Sequence, residues 1–413
     1  MSYQLKIIND PVYGFIKIPH KILFDVIEHP YFQRLRRISQ TALLYLVYPG
    51  AVHTRFHHAL GAMHLMFTAL ETLRLKGVSI SLEEEKAALL AILMHDIGHG
   101  PYSHALESVL MNDCQHEKLS LLLMNELNQE FGGQLSMAIQ MFQGEYSRPF
   151  FSQLISSQLD VDRMDYLKRD SFYTGVSEGN INTQRIISLL NVNENHLVVD
   201  AKGTNSVENF LTARMFMHWQ VYFHKTSVGA ERLLIKALSR AKELSAQGVH
   251  LEATPNLNHF LKKNKFDKMT AEDLHRFTQL DDSDVMFSLK SWENHSDFIL
   301  KYLCQSIMKR NFPKSIISIQ KFGEGKVAEL TQLVNEFYHI NNGEWLVDEI
   351  EKTLLPYNVE QQPILLQNSS GIIFRLEQSE SRLITEQISV PSTKYILSFP
   401  RDILPHLEYP IKI

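Results

Sequence analysis

The sequence predicts a mainly α-helical protein that opens with a small hairpin and closes in a mixed α/β region. Three observations carry this. Residues 5–18 alternate around an Asn9-Asp10-Pro11 turn signal. Helical patterning dominates from His20 to about residue 250. After Pro363 the texture turns to β-like alternation around Ser369-Ser370-Gly371.

The elements follow in order. A helical pattern runs from His20 to about Leu43, divided at Pro30, which suits a first turn but not a helix interior. Residues 55–76 read as one long helix, RFHHALGAMHLMFTALETLRLK. The next runs from about Ser81 to Asp96, with Ser81 as N-cap and acidic residues in the first turn. Gly98 and Gly100 end it, and Pro101 opens another helix to about Met111. Further helices are expected over 116–130, 134–142, 150–168, 181–191, 205–225 and 229–246, with a small hairpin at 191–202. Segment 254–340 is again mostly helical but more polar. In the C-terminal stretch, ILLQNSSGIIFRLEQ and SRLITEQISV both alternate. The expected units are a core over 1–250, a helical extension over 251–355 and a small region with β-like segments over 356–413.

Composition narrows the function classes. The chain has 413 residues, 44% hydrophobic and 21% charged, ordinary for a globular protein. A net charge of −5 argues against coating nucleic acid by bulk charge, though a local basic pocket is compatible with it. Cys114 and Cys304 are the only cysteines, so a disulfide scaffold or a thiolate zinc site is excluded. The reading is a reducing, cytoplasmic setting. No run approaches the ~18 apolar residues of a membrane span, and the N-terminus lacks a signal-peptide pattern, so no membrane partner is expected.

Histidine stands out, with 19 in the chain. His57 and His58 lie near a helix start, and His95-Asp96 lie at a helix end with His99 and His104 close behind. Asp160, Asp162 and Asp165 follow in QLDVDRMDYLKRD. Imidazole and carboxylate without thiolate is a ligand mix for Zn, Fe, Mn, Ni or Mg. Neighbouring helical residues diverge by ~100°, so His95 and Asp96 can share an ion only where the helix is ending. Gly98 and Gly100 supply that ending. Two helical stripes add polar groups. Asp162, Tyr166 and Asp170 share a face, with Arg163 beside them. Arg214, His218, Tyr222 and Lys225 share another, polar and aromatic where a core helix would be aliphatic.

RFHHALG (55–61), HDIGHGPYSH (95–104), His116-Glu117 and DVDRMDY (160–166), in this order, resemble the HD-domain metal phosphohydrolases. More narrowly, INDPVYGFI, PYFQRLRRISQ, YPGAVHTRFHHALG and VDRMDYLKRD resemble the deoxynucleoside triphosphate triphosphohydrolases, over roughly residues 5–240. The resemblance implies an HD-domain helical core. It implies a divalent ion on His58, His95, Asp96 and Asp162, with Mg on the substrate phosphates. It implies His116 as proton donor, oriented by Glu107, with His99 as its companion; Glu107 stands where the family often has Asp. Histidine suits that task because its unperturbed pKa is ~6.5.

Substrate contacts are implied in the same way. ARMFMHWQVYFHK resembles the family segment that grips the phosphates, with Arg214 on the γ-phosphate and Tyr222 against the ribose. Arg55 and Lys168 are further phosphate candidates, Arg55 the better one. Gln40 and Asp170 match positions that touch the 3′-hydroxyl. His104, Arg163, Tyr166, His218 and Lys225 complete the candidate substrate set. Lys6, Asn9, Gln33 and Arg36, with Glu28 where a relative has Asp, match a candidate site for an activating nucleotide. A homo-oligomer is expected by resemblance alone. The implied reaction is metal-dependent hydrolysis of a deoxynucleoside triphosphate to deoxynucleoside and tripolyphosphate. Alternatives are an HD phosphohydrolase acting on a monophosphate or cyclic nucleotide, a non-catalytic nucleotide or single-strand nucleic-acid binder, and a helical scaffold.

Overall fold

Strands β1 (Lys6–Asp10) and β2 (Gly14–Ile18) pair antiparallel, with Ile8 opposite Ile16. Asp10 makes the turn: its Oδ1 accepts the Val12 and Tyr13 N–H groups, each at 2.9 Å. Ile16 and Ile18 face the core. The computed structural model describes residues 4–103, 107, 109–111, 114–263, 269–379 and 387–407.

The protein is mainly helical, as its patterning predicts. Helix Lys21–Glu28 is followed by the short helix Pro30–Gln33, with Pro30 in its first turn. Helix Arg55–Leu75 packs against Leu82–Met94 and Val161–Thr174. Leu82–Met94 starts on a capping box, in which Ser81 Oγ accepts the Glu84 N–H and Glu84 accepts the Ser81 N–H. Every residue from Ala87 to Met94 is buried, so this eight-residue apolar run is the central core helix. Among the described residues, no helix is long and apolar enough to cross a membrane. Helices His116–Glu130, Ser136–Gln143 and Thr183–Leu189 match their expected positions within a few residues. Where a helix is expected from Pro101 to Met111, residues 101–103 form a turn, residues 107, 109 and 110 are helical, and residues 104–106 and 108 lie outside the described residues.

Two expected helices are broken. Segment 150–168 divides into Phe150–Ile155 and Val161–Thr174. Asp160 is the cause, because its carboxylate accepts the Arg163 and Ser157 N–H groups, each at 2.7 Å, and restarts the chain as a new helix. Segment 205–225 becomes helix Thr204–Met217 followed by a π-helical turn, His218–Tyr222. There the Phe223 N–H reaches the His218 carbonyl at 2.7 Å, and helix Lys225–Ala246 starts afresh behind the His224 cap.

The second half departs further from expectation. Helices Pro255–Lys262, Ala271–Phe277, Asp282–Trp292, Phe298–Met308 and Glu324–Tyr338 fit the helical reading. Strands β5 (Lys314–Ser318) and β6 (Asp348–Leu354) do not. They flank β9 (Ser392–Phe399) in an antiparallel sheet of order β5-β9-β6. Their partner is up to 85 residues away in sequence, Lys314 pairing with Phe399, so no local hairpin signal announces them. Nearer the core, β3 (Leu190–Asn193) and β4 (His196–Asp200) form the expected hairpin. Strand β7 (Leu365–Gln367) adds to it in parallel and turns back into β8 (Ile373–Arg375). Most of the alternating SRLITEQISV stretch lies outside the described residues.

Candidate active site

His58 sits in the first turn of helix Arg55–Leu75. Its Nδ1 donates to Asp165 Oδ2 at 2.8 Å. Asp165 takes two bonds from Arg169, at 2.9 and 3.0 Å, and Arg169 reaches back to Asp10 in the hairpin at 2.7 Å. The whole chain is buried. It fixes the tautomer and turns His58 Nε2 toward Asp162 Oδ1 at 3.0 Å and Asp96 Oδ2 at 3.7 Å. Gly61 makes room for it: a Cβ there would stand 2.0 Å from Asp165 Oδ1.

His95 caps the C-terminal end of Leu82–Met94. Its Nδ1 donates to the Ile92 carbonyl at 2.6 Å, leaving Nε2 aimed at Asp96 Oδ1 (3.3 Å) and Asp162 Oδ1 (3.5 Å). That Nε2 is buried and has no hydrogen-bond partner among the described residues. Ligand atoms of His58, His95 and Asp162 lie within 4.8 Å of one another. Two imidazoles of fixed tautomer, carboxylates and an orphaned ring nitrogen fit a divalent cation. Burial pushes the His58 pKa down, but hydrogen bonds with Asp162 and Asp165 outweigh it and carry the group up to about 10. Asp162 is held well below the usual carboxylate range against its burial, by His58 and His95.

Asp96 joins this group to a second one, with His99 and His116. Its Oδ1 lies 3.3 Å from His99 Nε2, and its Oδ2 accepts from Arg55 at 2.5 Å. The His99 and His116 rings stack at 3.8 Å and 18°. Glu107 Oε1 lies 3.4 Å from His99 Nδ1 and 3.5 Å from His116 Nδ1. Gly98 permits this approach, since a Cβ there would meet the His116 carbonyl at 2.4 Å. Ser120 ties the two segments, accepting the Gly98 N–H (2.9 Å) and donating to the His95 carbonyl (2.7 Å). Burial, with Arg55 adding to it, lowers the His99 pKa.

These groups open on a cleft of about 440 Å³. Gln40, Arg55, Tyr166, Asp170, His218 and Tyr222 line it. Asp170 accepts from the Tyr222 hydroxyl at 2.5 Å and lies 2.6 Å from His53 Nε2. Burial pushes His218 down to about 3, with Arg214 and Arg163 adding to the effect, so it is neutral. Among the described residues, four expected substrate residues are not part of the cleft lining. Arg163 pairs with Asp160 at 3.5 Å, Arg214 donates to the Pro356 carbonyl at 3.4 Å, and Lys225 is exposed. The expected stripe assumes one continuous helix; the π turn and the restart at Lys225 interrupt it beyond His218, while Arg214 stays close enough to His218 and Tyr166 to interact with both. Lys168 lies over the Tyr13 ring instead. His104 lies outside the described residues.

The candidate effector positions form a separate surface beside the hairpin. Lys6, Asn9, Glu28 and Arg36 are exposed. Gln33 donates to the Ile27 carbonyl at 2.8 Å and accepts from Arg36 at 2.8 Å, and Arg36 lies 3.6 Å over the Phe56 ring.

Several cleft residues escape the sequence reading. Ser103 Oγ accepts two bonds from Arg55, at 3.1 and 2.7 Å. Ser103 and Tyr102 both hold left-handed backbone (φ 45° and 49°), a strained arrangement for non-glycine residues. Asp282, far along the chain, holds that loop: its Oδ1 accepts the Tyr102 N–H at 3.0 Å and its Oδ2 the Ser39 N–H at 2.8 Å. Buried Arg34 supports the same junction, donating to the Leu280 and Ile97 carbonyls. Lys352, on β6, also lines the cleft. Asp165 was legible three residues after Asp162. Nothing local marks Asp282 or Lys352.

The HD domain family matches residues 55–170, and the HD associated region matches residues 181–256. The chain is 33% identical over 412 residues to Uncharacterized protein YwfO of Bacillus subtilis, covering 97% of this chain and 93% of that one. A crystal structure of a phosphohydrolase from Bacteroides thetaiotaomicron superposes with a TM-score of 0.93 at 46% identity, covering 96% of this chain and all of that one. The deoxynucleoside triphosphate triphosphohydrolase SAMHD1 homolog of Dictyostelium discoideum is 30% identical over 257 residues. That match spans 58% of this chain and 50% of the relative.

Proposed function

Because this chain belongs to the HD-domain family of phosphohydrolases, we propose that it hydrolyses deoxynucleoside triphosphates to deoxynucleoside and tripolyphosphate. One observation carries this reading. A metal-fitting group (His58, His95, Asp162) and an acid-base group (Asp96, His99, His116) adjoin each other at a cleft that all of them but His95 line. The Asp170–Tyr222 pair stands on the same cleft.

His58, His95, Asp96 and Asp162 would hold a divalent cation, which would supply Lewis acidity to the phosphoryl group. Asp165 and the Ile92 carbonyl hold the two imidazoles in the ligating tautomer. Arg55 neutralises phosphate charge while Ser103 and Asp96 fix its guanidinium. Water attacks the α-phosphorus, the bond from phosphorus to the 5′ oxygen breaks, and His116 gives that oxygen its proton. Glu107 and His99 hold His116 in place. Asp170 and Gln40 take the 3′-hydroxyl, and the Tyr222 ring lies against the deoxyribose. Neutral His218 offers a hydrogen bond without adding charge. In the same reading a second nucleotide over Lys6, Asn9, Glu28, Gln33 and Arg36 activates the enzyme.

The test is incubation of purified protein with each dNTP and NTP, singly and in pairs, with Mn, Mg or Fe, read by ion-pair chromatography. Deoxynucleoside and tripolyphosphate are expected, and both vanish in a His95→Ala, Asp96→Ala double variant. Monophosphate or diphosphate products would contradict the proposed point of attack.

A further inference from the structure

We propose that Glu231 and Lys352 read the nucleobase and together favour guanine. The inference rests on the triphosphate reading above and names the end of the cleft that the reading leaves unassigned. Metal, acid and sugar contacts use one part of the lining. Beyond them the lining includes Ala42, Leu43, Leu44 and Phe223, and the polar groups of Thr41, Ser227, Glu231 and Lys352. Helix Lys225–Ala246 packs on the Ala42–Leu46 turn, so these residues share one end. Ser227 and Glu231 lie one helical turn apart on the same face.

The charges at this end are unusual. Arg232 and Lys236, on the same helix as Glu231, both pair with Asp348. Glu231 and Lys352 line one cleft yet neither forms an ion pair among the described residues. Lys352 stands directly opposite Lys394 across β6 and β9. Like charges so placed are unfavourable. Each ammonium is seated on an aromatic ring of the π-turn segment, Lys352 at 5.4 Å from Phe223 and Lys394 at 4.1 Å from Trp219. Thr41 Oγ1 and Ser227 Oγ are buried without a hydrogen-bond partner among the described residues.

An occupant must therefore offer donors to a carboxylate and an acceptor to an ammonium. Polyphosphate fails, because Glu231 repels it. A base stacked against Leu43, Leu44 and Phe223 succeeds. Guanine presents two adjacent donors, N1–H and the N2 amino group, for Glu231, and its O6 accepts from Lys352. Adenine has no carbonyl, and thymine has a single N–H. Lys352 lies beyond both matched family segments, so this selectivity is written outside them.

The experiment compares guanine with hypoxanthine, which lacks the N2 amino group. Metal-loaded full-length protein is assayed for kcat/KM on dGTP, dITP and dATP, and titrated calorimetrically with deoxyguanosine and deoxyinosine. The wild type should prefer dGTP to dITP by about tenfold, the scale of one lost paired contact. Glu231→Gln should reduce that ratio to about twofold, chiefly through KM, and Lys352→Met should narrow the dGTP/dATP ratio. Thermal melting reports folding, with Glu231→Asp as the second variant if Glu231→Gln is unstable. Equal rates on dGTP and dITP, or a uniform loss on all substrates in Glu231→Gln, would overturn the proposal. If no triphosphate is hydrolysed, the triphosphate reading fails by itself, and the titrations still decide. Tighter deoxyguanosine than deoxyinosine, lost in Glu231→Gln, supports base reading, and equal or absent binding overturns it.

Discussion

His58 and His95 each commit one ring nitrogen to a neutral or anionic acceptor and leave the other to the cleft. That division follows from the buried line Asp10–Arg169–Asp165–His58. Asp165→Asn should weaken metal affinity by about 10–100-fold, the usual cost of losing the carboxylate behind a ligating histidine. Competition with a fluorescent chelator measures it. Gly61→Ala should prevent native folding, since its methyl would occupy the space of the Asp165 carboxylate; circular dichroism and melting check this. A cation must also displace the proton that Asp162 and Asp165 stabilise on His58, whose pKa they carry up to about 10 against its burial. Adding Mn to metal-free protein near neutral pH should therefore release protons, and affinity should climb with pH up to that value. An indicator-dye titration without proton release would contradict the assignment. The four candidate metal positions come from the order of motifs in the resemblance; the glycines behind His95-Asp96 give a local signal, whereas the sequence reading sets Asp162 inside one continuous helix. The regular stripe expected from Arg214 to Lys225 is interrupted after His218 by a π turn, whose i+5 bond has no residue signature.

Elements explain how distant segments steer that chemistry. The Asp282–Trp292 helix begins at a carboxylate that bonds the backbone of two cleft-lining loops. Burial pushes the Asp282 pKa up, while hydrogen bonds from Ser39 and Tyr102 oppose it. Asp282→Asn would set an amide NH2 against one of those N–H donors. The expected cost is about 1–3 kcal/mol of stability, with a fall in kcat as Ser103 and Arg55 lose their support. Melting and steady-state kinetics on the same preparation test both parts. The helices from 55 to 143 could be read directly, since caps such as Ser81 and a helical apolar period agree there. The break at Asp160 could also have been read, because Asp followed by an acidic first turn is an N-cap pattern. Strands β5 and β6 could not, since their pairing is with β9, across long intervals of helix.

The C-terminal half is bound to the first half at many places, three of which bear on the cleft or on the hairpin beside the core. Strand β7 extends the β4 hairpin, Arg34 and Asp282 join the extension to the cleft loops, and β6 delivers Lys352 to the cleft. A chain ending at residue 250 should therefore fail to give a cooperative, active protein, although both matched family segments lie almost wholly within it. Hydrogen exchange on that truncation, compared with the full chain, checks this. The central claim is attack by water at the α-phosphorus with departure of the 5′ oxygen. Its most direct test is hydrolysis of a dNTP by metal-loaded protein in ¹⁸O-water, with mass analysis of both products. The account predicts one ¹⁸O in the tripolyphosphate and none in the deoxynucleoside. Label in the deoxynucleoside, or in a released monophosphate or orthophosphate, would contradict it.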